Sequence, residues 1–181
     1  TNVKICAEVY IPISHQLVHR LRAEHQAILV GVNTANSDNP SLTTREWPGQ
    51  SPIRMVLDPH ARMNQNTLLL QDEKPTLIFT HQLEKSMGNK QWVALGALNF
   101  LGQFMAYCQQ HSIQSILVEG GTKTIESFME ALDVQEIIHI ESSQILQSGI
   151  TAPQIDMGTA GYYHLGTNNR WQVRLGEENL R

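Results

Sequence analysis

Short apolar runs alternate with amphipathic segments along the whole chain, and this alternation constrains the fold more than any other feature. The runs occupy residues 27–32, 53–57, 76–80, 115–118 and 136–140. A continuous apolar run of this length is typical of a strand that is covered on both faces. Between the runs, apolar residues recur with helical spacing at 101–108 and 125–132, and less regularly at 17–21. The pattern predicts an α/β three-layer sandwich, with a mostly parallel mixed sheet flanked by helices.

Two local signals refine this prediction. Asn99 precedes a helical segment and is a candidate N-cap. The tail from Tyr162 to Leu175 has strand-like pieces on either side of Asn168-Asn169, which predicts an antiparallel hairpin at the sheet edge. At 181 residues we expect one domain, 1–181, and the start at Thr1 without a methionine suggests a domain excised from a longer chain.

Composition disfavours several classes of protein. A net charge of −4 argues against a nucleic-acid or anionic-membrane protein, since such partners select basic surfaces. No apolar run reaches the roughly 18 residues of a membrane span. Cys6 and Cys108 are too few for a disulfide framework and form no CxxC pair for zinc, so we expect small apolar roles and a cytoplasmic location.

The strongest local motif is the stretch 116–124, where a buried strand turns through Gly120-Gly121 into a helix. Glycines let a backbone approach a ligand, and the first N–H groups of a helix favour phosphate. A tight turn without a ligand explains the motif equally well. Glu119, at the carboxyl end of the strand, is placed to bind a polar ring, although a carboxylate near a helix N-terminus needs no ligand to be favourable.

A long polar segment, 33–45, follows the first buried run and predicts either a solvated loop or a binding loop. Arg22 before the run and Arg45 at the end of the segment are placed to approach one anion from two sides, although each taken singly suits a solvated surface. His15 and His19 have a helical metal-ligand spacing, but no third ligand is evident, and we predict no metal site.

The combination of these motifs resembles a known family. The resemblance rests on 21–23, 27–31, Thr34, 38–43, Arg45, 52–58 and 118–121, and extends over about Leu17 to Pro153. In this order they are similar to the reductase domain of the bifunctional riboflavin-biosynthesis deaminase/reductase. The resemblance implies a dihydrofolate-reductase-like fold, a homodimer, and NADPH-dependent reduction of 5-amino-6-(5-phosphoribosylamino)uracil, in which hydride reaches the ribose C1′.

The resemblance also implies site residues. Those expected to contact the phosphorylated substrate are Arg22, Leu42, Arg45 and Glu119, with both arginines on its phosphate. Those expected to contact NADPH are Ala7, Thr34, Asp38, and the helix start Gly121, Thr122, Lys123 and Thr124, in a stretch that extends to Ser127. No catalytic residue is assigned.

The chain departs from the family pattern in several places. Asn39 replaces the second aspartate of Asp-Asp-Pro, and Pro59 stands where serine is common, so we expect Arg62 to recognise the cofactor 2′-phosphate. The family's Ser-Leu-Asp-Gly-Lys segment has no counterpart between Ala7 and Glu8, which we interpret as a segment omitted from the sequence. The deaminase signatures His-x-Glu and Pro-Cys-x-x-Cys are missing. Alternatives are a reductase of another pteridine or pyrimidine, and an inactive ligand-binding or dimerisation domain.

Overall fold

The computed structural model describes residues 2–8, 12–82, 84–132, 134–142, 153, 155–157, 162–165 and 169–175. The described residues form ten strands and five helices. The strands are β1 (Asn2–Glu8), β2 (Ala27–Gly31), β3 (Ile53–Leu57), β4 (Thr76–Thr80), β5 (Lys85–Met87), β6 (Lys90–Ala94), β7 (Ser115–Gly120), β8 (Glu136–Ser142), β9 (Tyr162–Leu165) and β10 (Asn169–Leu175). The helices are α1 (Pro12–Glu24), α2 (Val32–Asp38), α3 (Leu68–Gln71), α4 (Phe100–Gln110) and α5 (Thr122–Ala131).

All the strands belong to one mixed sheet, in the order β5-β6-β4-β3-β2-β7-β1-β8-β10-β9. The inner strands from β6 to β8 pair in parallel, whereas β5, β10 and β9 add antiparallel edges. This confirms the predicted mostly parallel mixed sheet. Because the inner strands are parallel, their carboxyl ends lie along one edge, where α/β sheets bind ligands.

The two faces of the sheet bury alternate residues of the same strands. In β2, Leu29 packs in a cluster with Phe104 of α4 and Phe128 of α5. The neighbouring residues Ile28 and Val30 pack in a second cluster on the opposite face, with α2. Helix α1 covers β7 and β8 through a third cluster, formed by Val18, Leu21, Leu117, Ile138 and Ile140. The three-layer architecture is therefore confirmed.

Sequence periodicity located most elements correctly. The runs 53–57 and 76–80 are strands with the predicted bounds, and the hairpin of the tail is β9 and β10. The short, exposed strand β5 and its partner β6 were not predicted. Asn99 occupies the N-cap position of α4, but its backbone has a φ of 53° and its side chain makes no capping hydrogen bond. Cys108 is a buried core residue, as expected, and burial raises the pKa of its thiol to about 12.

The prediction of a loop over residues 33–45 was wrong in its first half, because α2 spans Val32–Asp38. Val32 and Ala35, one helical turn apart, are buried against the sheet. Asn39 ends the helix in a left-handed conformation, with a φ of 44°, and its side chain accepts the N–H of Leu68 at 2.7 Å. Tertiary contacts thus stabilise a helix in a polar sequence of low helix propensity.

Strand β1 passes through Ala7 and Glu8 without interruption. Ala7 pairs with His139 and Glu8 with Ile140, in one continuous parallel register with β8. The sequence therefore runs from Ala7 to Glu8 within one strand, and the interpretation of an omitted segment at this junction stays a prediction. None of the helices in the described part of the chain has the length and apolar character that crossing a bilayer demands.

A buried ion cluster ties the amino ends of β3, β4 and β6 together. Arg54 is 1% exposed and donates to both carboxylate oxygens of Asp72, at 2.7 and 2.6 Å. Lys90, 3% exposed, donates to the same carboxylate at 3.0 Å. Burial alone would raise the pKa of Asp72, but the hydrogen bonds from Arg54 and Lys90 outweigh it and hold that pKa well below its usual range. The cluster is satisfied only while Asp72 is charged.

We predict that Asp72→Ala lowers the free energy of unfolding by about 3 kcal/mol, because two buried cations lose their carboxylate. Urea denaturation measures the loss, and Glu73→Ala, at the exposed neighbouring position, is the control. Because the pKa of Asp72 is lowered on folding, the unfolded chain binds the proton first. The stabilisation is complete above the ordinary aspartate pKa near 4 and decreases as the pH falls below it. Equal stabilities of the two variants would contradict this role.

Candidate active site

The carboxyl ends of β2, β3 and β7 bring most of the predicted site residues to one edge of the sheet. Gly31 ends β2, Asp58 follows β3, and Glu119 and Gly120 end β7. Parallel pairing of β2 with both β3 and β7 places these strand ends side by side. Ala7 lies near the carboxyl end of β1, the other neighbour of β7.

A close-packed junction of glycines and threonines joins the starts of α2 and α5. A Cβ on Gly31 would clash with the Thr124 hydroxyl oxygen, and one on Gly121 would lie 2.9 Å from that of Thr34. Gly121 is the N-cap of α5 and has a φ of 82°, a conformation that glycine adopts readily. We call these residues, with Gly120, the glycine–threonine junction. Its glycines are required by contact and conformation, and Gly121, where α5 begins, is partly exposed.

Glu119 is held by a bidentate ion pair to Arg22. The Arg22 Nε and Nη2 donate to the two carboxylate oxygens of Glu119 at 2.7 and 2.5 Å. The side chains are 13% and 10% exposed, so Arg22 does not have the solvated surface role that its sequence position alone suggested. Arg22 Nη1 also donates to the carbonyl oxygen of Thr43 at 3.1 Å. The pair therefore links α1, β7 and the polar segment after α2.

Arg45 lies at the end of that segment, residues 39–45, which we call the Arg45 segment. Arg45 is an exposed residue, and its guanidinium donates through Nη1 to the hydroxyls of Ser41 and, at 3.0 Å, Thr43. Because Thr43 also accepts from Arg22, the structure brings the two predicted arginines to one residue. Leu42 has a φ of 52° and is 1% exposed, with its side chain in the core. Only its backbone is therefore available for the predicted substrate contact.

The backbone N–H of Arg45 donates to His19 Nδ1 at 3.0 Å, a contact that sequence reasoning missed. Burial lowers the pKa of His19, and the positive charges of Arg22 and Arg45 lower it further, while Glu46 opposes them. His15 Nδ1 lies 3.6 Å from a Glu46 carboxylate oxygen. Within the described ranges, no three side chains of the metal-binding types converge on one point. The spacing of His19 from Arg22, three residues along α1, was the available signal for its role.

A second structured turn follows β3 and carries Arg62. The Asp58 carboxylate accepts the backbone N–H groups of Arg62 and Met63, each at 2.8 Å. The Asn36 amide of α2 donates to the Arg62 carbonyl at 2.9 Å. The Arg62 side chain is exposed, as is Asp38 at the end of α2, which accepts from Ser37 at 2.7 Å. Asn36 and Asp58 fix this turn, and neither was singled out from the sequence.

The edge therefore carries two regions that adjoin the end of β7. One contains Arg22, Arg45 and Glu119, around the Arg45 segment. The other contains the glycine–threonine junction, with Thr122 and Lys123 at the start of α5. Helix α2 connects this junction to the Arg62 turn through Asn36. Because Glu119 directly precedes Gly120, the regions meet at the end of β7.

The sequence is similar to those of known proteins. Residues 5–146 match the family described as the RibD C-terminal domain. The riboflavin biosynthesis protein RibD of Aquifex aeolicus is 32% identical over 145 residues, which cover 76% of this chain and 40% of that protein. A second Aquifex aeolicus protein, named 2,5-diamino-6-ribosylamino-4(3H)-pyrimidinone 5′-phosphate reductase, is 29% identical over 93% of this chain and 77% of its own length. The chain spans about two fifths of the RibD proteins it matches.

Solved structures share the fold. The deaminase/5-amino-6-(5-phosphoribosylamino)uracil reductase of Thermotoga maritima superposes with a TM-score of 0.81 at 20% identity, covering 97% of this chain and 56% of that one. The yeast riboflavin biosynthesis reductase Rib7 superposes with a TM-score of 0.76 at 19% identity, covering 97% and 90%. These likenesses confirm the predicted dihydrofolate-reductase-like fold.

We predict that Gly121→Ala lowers the free energy of unfolding by about 2–3 kcal/mol, since backbone strain adds to contact with Thr34. The control is Gly88→Ala, at a glycine with a φ of 56° and nothing within 4 Å of the added Cβ. There, strain alone should cost about 1 kcal/mol. Thermal or urea denaturation measures both values. If the two substitutions cost the same, the contact with Thr34 contributes nothing to the rigidity of the junction.

Proposed function

Because the chain belongs to the RibD C-terminal domain family, we propose that it is an NADPH-dependent reductase that converts 5-amino-6-(5-phosphoribosylamino)uracil into its ribitylamino product. The observation that carries the proposal is the adjacency of two regions at the end of β7. A backbone suited to a dinucleotide phosphate adjoins a pair of arginines suited to a substrate phosphate. Ligands bound in both would face each other across Glu119 and Gly120.

The cofactor half of the proposal rests on the glycine–threonine junction and the Arg62 turn. The N-terminus of α5 carries a partial positive charge and lies beside Thr34, which favours a pyrophosphate. Bound NADPH would supply hydride to the substrate. Arg62, exposed and held in place by Asp58 and Asn36, would then bind the 2′-phosphate. Thr122, Lys123, Thr124, Asp38 and Ala7 are proposed neighbours of the same cofactor.

The substrate half rests on Arg22, Arg45 and Glu119. Arg45 is an exposed residue whose guanidinium can form paired hydrogen bonds with a phosphomonoester. Arg22 already donates to Glu119 and Thr43, so we assign it the additional role of orienting that carboxylate. Glu119 would bind the polar pyrimidine or ribose groups. Hydride adds at the ribose C1′ while the bond from C1′ to the ring oxygen breaks, and that oxygen takes up one proton.

A second candidate substrate is the 2-amino pyrimidinone named for the Aquifex reductase, which resembles this chain over most of both lengths. It differs from the uracil compound at pyrimidine C2, where an amino group replaces an oxo group. The phosphate and ribose are the same in both compounds. The arginines therefore serve either substrate, and only groups near C2 distinguish them.

NADPH consumption, followed by its absorbance with each substrate and with neither, tests the proposal. We expect turnover that requires a phosphoribosylaminopyrimidine and is faster with the uracil compound. Faster turnover with the 2-amino compound would favour the second candidate. No turnover with either, together with unchanged NADPH fluorescence on titration, would support an inactive domain instead.

A homodimer in the cytoplasm is part of the proposal, on the basis of the family resemblance. Light scattering of the purified chain should then give twice its mass of 20.4 kDa. A single-chain mass at micromolar concentration would contradict it.

We predict that Arg62→Ala weakens NADPH binding by about 1.5–3 kcal/mol, the range for a hydrogen bond to a charged group. NADH binding should change little, because NADH lacks the 2′-phosphate. Fluorescence titration of both cofactors measures the difference. Equal losses for both would mean that Arg62 acts through the stability of its turn.

We predict that Arg45→Ala raises the KM for the phosphorylated substrate, because the phosphate loses a charged donor pair. If phosphate binding also orients the ribose, kcat falls as well. NADPH affinity should be unchanged. The ratio of kcat/KM for phosphorylated over dephosphorylated substrate, which we call the phosphate preference, should fall toward one.

Arg20→Ala is the matched control, since Arg20 is exposed on α1 and pairs with Glu24. It removes the same charge and should leave the phosphate preference intact. An Arg45→Ala enzyme that keeps the wild-type phosphate preference would contradict the assignment of Arg45 to the phosphate.

A further inference from the structure

The Arg45 segment is anchored by side chains from separate elements. Arg54 of β3 donates to the Ser41 carbonyl at 3.2 Å, and Arg22 of α1 donates to the Thr43 carbonyl. His19, also on α1, accepts the backbone N–H of Arg45 itself. The first two anchors hold the start and middle of the segment. His19 holds Arg45 itself, at the exposed end of the segment.

The His19 anchor depends on a lone pair at Nδ1. The ring is 3% exposed, and the hydrogen bond that it accepts from the Arg45 N–H is partly buried. A doubly protonated imidazole has no acceptor, since both nitrogens then carry hydrogen. The contact at 3.0 Å therefore requires an uncharged ring with its hydrogen on Nε2.

The surroundings keep this ring uncharged. Arg22 and His15 approach it from its own helix, and Arg45 from the segment packed against it. Glu46 is the carboxylate that opposes these charges, and Glu119 on β7 is already paired with Arg22. Burial and the positive neighbours together disfavour a second proton on His19.

We propose that His19 is a positioning residue, an uncharged acceptor that fixes the Arg45 backbone and thereby places its guanidinium on the substrate phosphate. The proposal rests on the proposed function, because it assumes that Arg45 binds that phosphate. Without the anchor, the end of the segment is free to move. The free energy of phosphate binding must then also offset the conformational entropy that Arg45 loses when it becomes ordered. The consequence is a weaker phosphate preference, with the chemistry and the cofactor site unchanged.

Two substitutions separate positioning from structural loss. His19→Leu removes the acceptor and should lower the phosphate preference about two- to tenfold, the equivalent of one neutral hydrogen bond. In His19→Asn, the amide oxygen is bonded to Cγ, as Nδ1 is in histidine, and can accept the same N–H. It should restore the preference at pH 7. His25→Leu, at a buried histidine whose ring bonds the Leu21 carbonyl, controls for the loss of a buried imidazole.

The pH profile gives a readout that a structural role would not change. As the pH falls below the usual histidine value of about 6.5, wild type should lose phosphate preference once His19 takes up a proton. His19→Asn should keep its preference, because its amide does not titrate. The substrate phosphate itself titrates near pH 6, but equally for both enzymes, so their difference isolates His19.

The outcomes distinguish this inference from the proposed function. A His19→Leu enzyme with wild-type preference, beside an Arg45→Ala enzyme that has lost it, overturns the role of His19 alone. If Arg45→Ala also keeps the preference, the phosphate assignment fails and the inference with it. Should His19→Leu not fold, superimposable pH profiles of wild type and His19→Asn overturn the inference.

Discussion

The pairing of Arg22 with Glu119 is the interaction on which the geometry of the site depends. It connects a helix on one face of the sheet to the carboxyl end of β7, and Arg22 extends it to the Arg45 segment. A largely buried pair of this kind gives little net stability, because desolvation offsets the attraction, but removal of one partner leaves an uncompensated charge. The main effect of the pair is therefore to fix the positions of α1, the end of β7 and the Arg45 segment. Glu119 and Thr43 are both held by donors of the same guanidinium, which fixes the end of β7 relative to the Arg45 segment.

The architecture could be predicted because burial on both faces leaves a strong mark on the sequence. A parallel strand such as β2 has no solvated side, and its residues form an apolar run that few other structures require. Strand order has no such signal, since β1 inserts between β7 and β8 through contacts distant in sequence. The exposed edge strand β5 was not predicted, for the opposite reason. Its residues bury little, so hydrophobic periodicity did not mark them.

The residue types of the candidate site could be recognised in the sequence, but the contacts between these residues could not. The glycines of the β7 turn and the two arginines stood out, because close approach and anion binding require those residues. Helix α2 did not, since its stability depends on Asn36 and Asn39, which bond residues from 62 to 68 after the next strand. From the sequence, His19 was considered only as a possible metal ligand together with His15. Its bond to a backbone N–H across the α1 face depends on tertiary packing that a local pattern does not encode.

The segments that contain Arg45 and Arg62 are each anchored by side chains from other parts of the fold. Arg54 and His19 hold the backbone of the Arg45 segment, and Asp58 holds the backbone of the Arg62 turn. Each arginine thus combines a fixed backbone with an exposed position on the surface. Under the proposed function, each phosphate would then meet a guanidinium whose main chain is already ordered, so less conformational entropy would be lost on binding.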